Sequence, residues 1–361
     1  MIAGPINASN QLNLLLAVKT MFMDAYSQTY MGPEYQDYKS FCYQDSPQGD
    51  LIYTIYSEPL KPPRAWVGER PQSIVDFRFW TQSVRPFADS MEIDVDDIKD
   101  DAAPAKKIAY GLAAQRLGEA APALWPSLVA ETIIRGTTAT WFPDGQPIFS
   151  THNYSISNSS LGSYRNYNAN NANGGNAAYP LTYGNVLSLL KLGYTFKAPT
   201  GMDYPIYYDT LVVPAGSVKT AQRIAQFDRL PNADLYGQQN ATSNAGGDAV
   251  NEIKANFNLK VKVLAGMPAG TWALVDSRLQ SELPLAYKVR QPITWQYVGP
   301  TALDANGFPV SDEGMIPEMT FNRNKVKFGP KARGDAYFRN WWRIALCDGN
   351  TTPVTTLSIV S

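Results

Sequence analysis

Residues 270–292, GTWALVDSRLQSELPLAYKVRQP, constrain this chain more than any other stretch. Two apolar runs flank a polar link, Pro284 breaks the link, and Arg290 and Pro292 close the second run in an Arg-x-Pro ending. Partly alternating apolar residues broken in this way read as strands, here at 271–276 and 285–298. The stretch holds no grouping of nucleophile, acid, base or metal ligand. It is structure that must be covered by other structure.

The rest of the chain supports that reading. Its 361 residues suffice for two subdomains with a core each. Only 17% of residues are charged, against 44% apolar and 21 tyrosines, whereas about a quarter of residues are charged in an ordinary soluble domain. A chain so poor in charge and rich in aromatic rings tends to bury more than one face, often against a partner. Its 31 basic and 32 acidic side chains nearly cancel, which leaves no basic excess for a phosphate-gripping groove. Cys42 and Cys347 are too few for a disulfide framework and fit a reducing compartment. The N-terminus lacks the pattern of a secretory signal. No run approaches the roughly 18 apolar residues of a membrane span. A soluble protein made in the cytoplasm is expected.

Leu12, Leu15, Leu16 and Phe22 predict a helix over 10–30, followed by an irregular Tyr-rich stretch to residue 56. The prolines of 61–72 forbid a regular element, and 73–95 read as an extended hairpin arm or paired strands. A helix opens at Pro104 and runs to about 122, weakened by Gly111 and Gly118. A second runs from Pro126 to Gly136. The Asn/Ser/Gly-rich 153–179 read as a long exposed loop, and 232–250 as another. Helices are expected at 182–193 and 217–227, and a buried strand within 204–216. Strands follow at 257–265, 271–276, 285–298, 318–329 and 336–347. Without regular β-α-β alternation the class is α+β.

Candidate chemistry is sparse. His152 is the sole histidine, so a histidine pair for zinc cannot form, and a structural hydrogen-bonding role is the better reading. The acidic run Asp94–Asp101 lacks the glycine and glutamate of a calcium loop, and reads as a helix start or as partners for a neighbour's arginines. Trp141–Gly145 form a tight turn, in which Asp144 has no evident catalytic partner. Phosphate-loop, dinucleotide, Cys-x-x-Cys and serine-elbow motifs are missing. Trp341 and Trp342 read as strand core rather than a sugar platform. The expectation is no enzyme, no cofactor and no metal.

Several motifs fall in a recognisable order. Ala65-Trp66-Val67-Gly68-Glu69-Arg70 resembles the W-x-G-x-R signature that opens the extended loop of Mu-type phage major head proteins. Asp97–Asp101 is similar to that family's acidic element before its long helix. Phe142–Phe149 with His152 resembles its D-G-x-x-x-F…H turn, and Trp272–Pro292 its W-x-L-x-D…R-x-P segment. Lys327-Phe328-Gly329…Arg333 is similar to its closing element, with the preceding residues changed. The resemblance covers about 60–345 and implies a Hong Kong 97-like capsid fold.

On that resemblance 1–48 would be an N-terminal arm and 49–98 the extended β-hairpin loop. Residues 99–195 would be a peripheral domain with a long spine helix and the exposed polar loop, and 196–284 an axial domain. Residues 285–361 would return peripheral strands to the axial domain and end in a tail. The implied role is a major capsid protein of a tailed phage or prophage, closing through pentamers and hexamers into a shell around double-stranded DNA, located in the virion and, during assembly, in the host cytoplasm. Trp66, Arg70, Trp80 and Arg85 are the expected inter-subunit contacts, with Asp96, Asp97, Asp100 and Asp101 as acidic partners. Other copies are the expected partners, with a separate scaffold, portal or decoration protein; DNA would be touched weakly and no membrane. A tail or baseplate protein and an aromatic-rich carbohydrate binder stay open as alternatives.

Overall fold

The computed structural model describes residues 8–57, 77–94, 104–140, 144–155, 159–169, 178–197, 201, 203–230, 249–298, 302–303, 309–310, 325–350, 352 and 354. The chain opens with α1 (Ala8–Tyr30), α2 (Pro33–Gln36), β1 (Cys42–Asp45) and β2 (Leu51–Ser57). Then come β3 (Phe77–Ser83), β4 (Arg85–Ala88), β5 (Met91–Asp94), α3 (Pro104–Ala120) and α4 (Leu124–Arg135). The middle holds β6 (Thr151–Asn153), β7 (Ser163–Arg165), β8 (Tyr167–Asn168), α5 (Tyr183–Tyr194), β9 (Thr210–Val213), α6 (Val218–Gln226), β10 (Arg229–Leu230) and β11 (Ala249–Val250). It closes with α7 (Glu252–Phe257), β12 (Lys260–Val263), β13 (Thr271–Val275), β14 (Leu285–Val298), β15 (Ala302–Leu303), β16 (Pro309–Val310), β17 (Lys325–Phe338) and β18 (Ile344–Asp348). The class is α+β, as the sequence predicts.

Two mixed sheets organise these elements. In one, β14 and β17 form a long antiparallel ribbon, with β1 parallel to β14 and with β4 and β5 both on the outer edge of β17. In the other the order is β12-β9-β13-β18-β8. Every residue of β9, β13 and β18 is buried, which is why these strands are mostly apolar runs, with Thr210, Thr271 and Asp348 only at their ends, rather than alternating. Residues of α4, α5, α6 and of both sheets share one core cluster, with Trp272 fully inside it. The edge strand β12 is closed by Asp37, whose carboxylate accepts the Val263 N–H and the Lys262 ammonium, each at 3.0 Å. That contact satisfies an edge N–H that would otherwise invite another strand.

Gly111 and Gly118, expected to weaken α3, are instead its packing surface. With Ala114 they line up at helical spacing beneath α1, and a β-carbon on Gly118 would lie 2.4 Å from the Phe22 carbonyl oxygen. Val18 and Phe22 of α1 bury themselves there with Ile93 and Phe328, and Trp295 stacks at a tilt 4.7 Å from Phe22. Only a 3₁₀ turn, Ala121–Ala123, separates α3 from α4, so the two expected helices nearly merge.

The last strands also differ from expectation. Strands are expected at 318–329 and 336–347, yet β17 runs through the gap between them, Gly329-Pro330 included, and the 3₁₀ turn Trp341–Arg343 divides the second stretch before β18. The outer partner of β17 changes at Gly329-Pro330: β5 ends opposite Phe328 and β4 begins opposite Lys331. The β4–β5 turn crosses that gap so closely that a β-carbon on Gly329 would fall 2.0 Å from the Asp89 oxygen. The glycine gives room, and the proline sits where no inward-facing N–H is required.

Within 153–179, expected to be exposed, β7 and β8 are built into the body, and Tyr164, Asn166 and Tyr167 are buried. Asn166 meets its polar demands there, accepting from Ser150 N–H and donating to the Ile148 and Trp341 carbonyls at 3.0, 2.9 and 3.3 Å. A buried amide so bonded avoids the desolvation penalty. The Tyr-rich 30–56, expected to be irregular, hold α2, β1 and β2.

Candidate functional site

The hairpin arm is built by strand alternation. β2 and β3 pair antiparallel from Leu51↔Ser83 to Ser57↔Phe77, and among the described residues β2 pairs with no other strand. Ile52 and Thr54 on one face are buried, and Trp80, opposite Thr54, packs partly into the main core. On the other face Leu51, Tyr53 and Phe79 are 45%, 62% and 66% exposed. A two-stranded ribbon with one anchored face and one bare aromatic face is only half stabilised by its own chain.

Of the sequence-predicted contacts, the structure places two. Trp80 is partly buried against the core of its own chain. Arg85, the first residue of β4, is fully engaged within the chain. Its Nε and Nη2 donate to the two Asp335 oxygens at 2.9 and 3.0 Å, and Nη1 and Nη2 to the two Glu131 oxygens at 2.9 and 3.0 Å. Gln82 Nε2 adds a third donor to Asp335 at 2.9 Å. Burial lowers the Arg85 pKa, but hydrogen bonding and charge from Glu131 and Asp335 outweigh it and hold the pKa above its ordinary value. Trp66, Arg70, Asp96, Asp97, Asp100 and Asp101 lie outside the described residues.

Around that hub the ribbon and helix are fitted closely. Gly334 lets Trp125 of α4 rest on β17; a β-carbon there would meet the ring at 2.4 Å. Lys288, opposite Asp335 in the β14–β17 register and 4% exposed, donates to the Leu51 carbonyl at 3.1 Å. Beside the hub, Phe87, Leu117, Ala121, Leu124, Ile293 and Pro330 line part of a groove of about 920 Å³. A second bare apolar patch, Met21, Ile108 and Leu112, lies on the α1–α3 pair. Sequence reasoning missed Glu131 and Asp335, which lie 46 and 250 residues from Arg85, and with them Gln82 and Lys288, whose own partners Asp335 and Leu51 are also distant in sequence. The signal for Leu51 and Tyr53 was the alternation of β2, hidden inside a stretch read as irregular.

His152 is fully buried. Its Nδ1 bonds Asp144 at 2.9 Å, and Nε2 lies 2.9 Å from the Ile148 carbonyl oxygen and 3.2 Å from Ser150 Oγ. Asp144, expected to lack a partner, therefore has one, and the pair ties the Asp144-Gly145 turn to the core beside Trp341. Asp276 is 1% exposed and bonded to Arg343 and Arg278. In both places the polar groups are held by their own chain, as structural contacts. Burial pushes the Cys42 and Cys347 thiols well above their ordinary pKa, so neither is a ready nucleophile. Among the described residues no cluster suited to a metal ion occurs, and no helix is long and apolar enough to cross a membrane.

Residues 17–187, just under half of the chain, match the family described as Mu-like prophage major head subunit gpT. No curated protein matches. Among solved structures, the procapsid of bacteriophage JBD30 is 16% identical, covering 95% of this chain and 77% of its own, with a TM-score of 0.43. A virus-like particle from Pyrococcus furiosus is 11% identical, covering 92% and 98%, with a TM-score of 0.46. Mycobacterium phage Adephagia gives 14%, 88% and 91%, with a TM-score of 0.45.

Proposed function

We propose, from the premise that the chain is a Mu-like major head subunit, that copies of it close through pentamers and hexamers into an icosahedral shell around double-stranded DNA. The family match carries this reading. The half-bare hairpin supports it, since an arm that cannot cover its own aromatic face gains that cover from a neighbour. The role is structural, and its chemistry is non-covalent contact. Rings around symmetry axes form through heterologous contacts whose rotation closes. Each copy makes many weak contacts at once, so none need be strong. A near-neutral chain suits a wall that encloses DNA without gripping it.

The assignment of parts follows the same reading. Residues 49–98 are the extended loop. Residues 99–195 hold the spine, α3 and α4. Residues 196–284 are the axial unit, which borrows β8 and β18 for its sheet. Residues 1–48 are the arm, and 285–361 bring the β14–β17 ribbon. Trp66 and Arg70 are the proposed contacts at the loop end, with Asp96, Asp97, Asp100 and Asp101 facing arginines of other copies. Leu51, Tyr53 and Phe79 join them. A scaffold, portal or decoration protein would be a further partner, and assembly would take place in the host cytoplasm.

Electron microscopy of the purified protein tests this directly, with a variant in which an Asn-Gly turn replaces residues 58–76 and keeps Ser57 opposite Phe77. Closed shells from the parent and folded but unassembled subunits from the variant are expected. Shells from the variant would refute the loop assignment. Tubes from the parent would favour a tail protein, and a monomer that binds glycans a carbohydrate binder.

A further inference from the structure

The hairpin is joined to the body by a polar hub rather than by apolar packing alone, and the kind of bond chosen carries information. Val84, between β3 and β4, donates its N–H to the Asp50 carbonyl at 3.0 Å and so closes the ribbon's base. From the β3 side, Arg85 and Gln82 reach Asp335 on β17 and Glu131 on α4. From the β2 side, Leu51 accepts from buried Lys288, and the Asp50 carboxylate faces Arg290 at 3.3 Å and Arg333 at 3.4 Å. One attachment would be a pivot. Attachments on both strands, to β14, β17 and α4, fix an orientation.

The guanidinium sets that orientation most tightly. Two carboxylates from two elements each take a two-pronged contact, so the plane of the fork is defined by both at once. Asp335 is 1% exposed and Glu131 8% exposed. Arg85 itself is half-buried, and ion pairs of this sort contribute little net stability, because desolvation of the carboxylates and solvent screening of the arginine offset their attraction. What they add is direction, since an apolar contact tolerates sliding and a double fork does not.

We propose that Arg85 is the positioning residue of the hairpin. By clamping Glu131 of α4 and Asp335 of β17 in one fork, it sets the angle of the β2–β3 ribbon to the spine helix in the unassembled subunit, before any neighbour touches it. The further step, that this angle helps set shell curvature, rests on the capsid reading above; the fixed angle does not.

The test uses the full chain, diluted so that it stays unassembled, with spin labels on Thr81→Cys in β3 and Arg116→Cys in α3, both exposed positions. Cys42 and Cys347 are buried and stay unlabelled. Pulsed electron resonance reads the distribution of label distances. A single narrow distribution is expected in the parent, broadened at least twofold in Arg85→Lys, which keeps the charge and loses the fork. Circular dichroism confirms that the variant is folded. Should it not fold, Glu131→Gln, which keeps shape and one acceptor, takes its place with the same expectation. A broad parent distribution, or a variant as narrow as the parent, would overturn the proposal. Shells of the Arg85→Lys chain should spread in diameter. Uniform parent-sized shells from a broadened variant would remove the curvature step alone. A parent that forms no shells would count against the capsid reading and leave the distance result standing.

Discussion

Gly118 shows how a single hydrogen can decide a helix pair. In an open helix, glycine costs about 1 kcal/mol relative to alanine, so Gly118→Ala should help α3 by local propensity. The Phe22 carbonyl 2.4 Å from the new methyl is backbone and cannot swing aside. Overpacking of this kind costs about 1–3 kcal/mol, so a net loss is expected, read as a lower denaturant midpoint at unchanged slope. Gly184, with nothing within 4 Å of its β-carbon position, is the control. Gly184→Ala should raise stability by about 0.5–1 kcal/mol. The same sign at both sites would show that α1 does not seat on α3 as described. At His152 the accounting is polar: His152→Ala strips Asp144 of its partner beside a fully buried site. A loss of about 2–4 kcal/mol is expected from the lost bond and the cavity together. A thermal melt unchanged from the parent would refute the structural role.

Among the elements, the hairpin divides stability from assembly. Ile52 and Trp80 hold it to the body, whereas Tyr53 and Phe79 are largely exposed in the single chain. Replacing both exposed rings with serine should leave unfolding within about 0.5 kcal/mol of the parent and abolish closed particles in micrographs. Intact particles would show that this face is not a contact. Elements with a strong local signature were legible in the sequence: the helix from Ala8, α5, α6, β13 and β14 were read closely. What escaped was decided by tertiary neighbours. β17 continues through Gly329-Pro330 because β4 and β5 change places there, and no window of sequence contains that fact. α7 is only six residues long; its Asn251 cap and left-handed Asn258 were visible signals, too short to outweigh the polar loop before them. Asn166 and its neighbours read as solvent-loving until the carbonyls that satisfy them were in place. The hub was half legible: Arg85 could be singled out, but its carboxylates stand on elements far along the chain.

For the whole molecule, the tyrosines predict how the fold meets alkali. Burial first, then the nearby charge of Asp348, pushes Tyr167 up to about 12, and burial with the neighbouring Cys42 does the same to Tyr287. Each phenol ordinarily ionises near 10, so between those values the unfolded chain sheds protons that the folded one retains. Their contribution to stability is complete below pH 10 and is lost as pH rises towards 12. The denaturant midpoint should fall across that window, in step with phenolate absorbance, and a flat midpoint would refute it. The β14–β17 ribbon has a mechanical consequence of its own. Two paired strands of 14 residues, each rising about 3.3 Å per residue, make a strap some 45 Å long. Its cross-links run perpendicular to its length, so a pull along the strap loads them in shear, many at once, instead of peeling them one by one. In a wall pushed outward from within, such a strap is a tension member, and stretching it loads the bonds on either side of the register shifts at Val289–Thr294 as two sets rather than one by one.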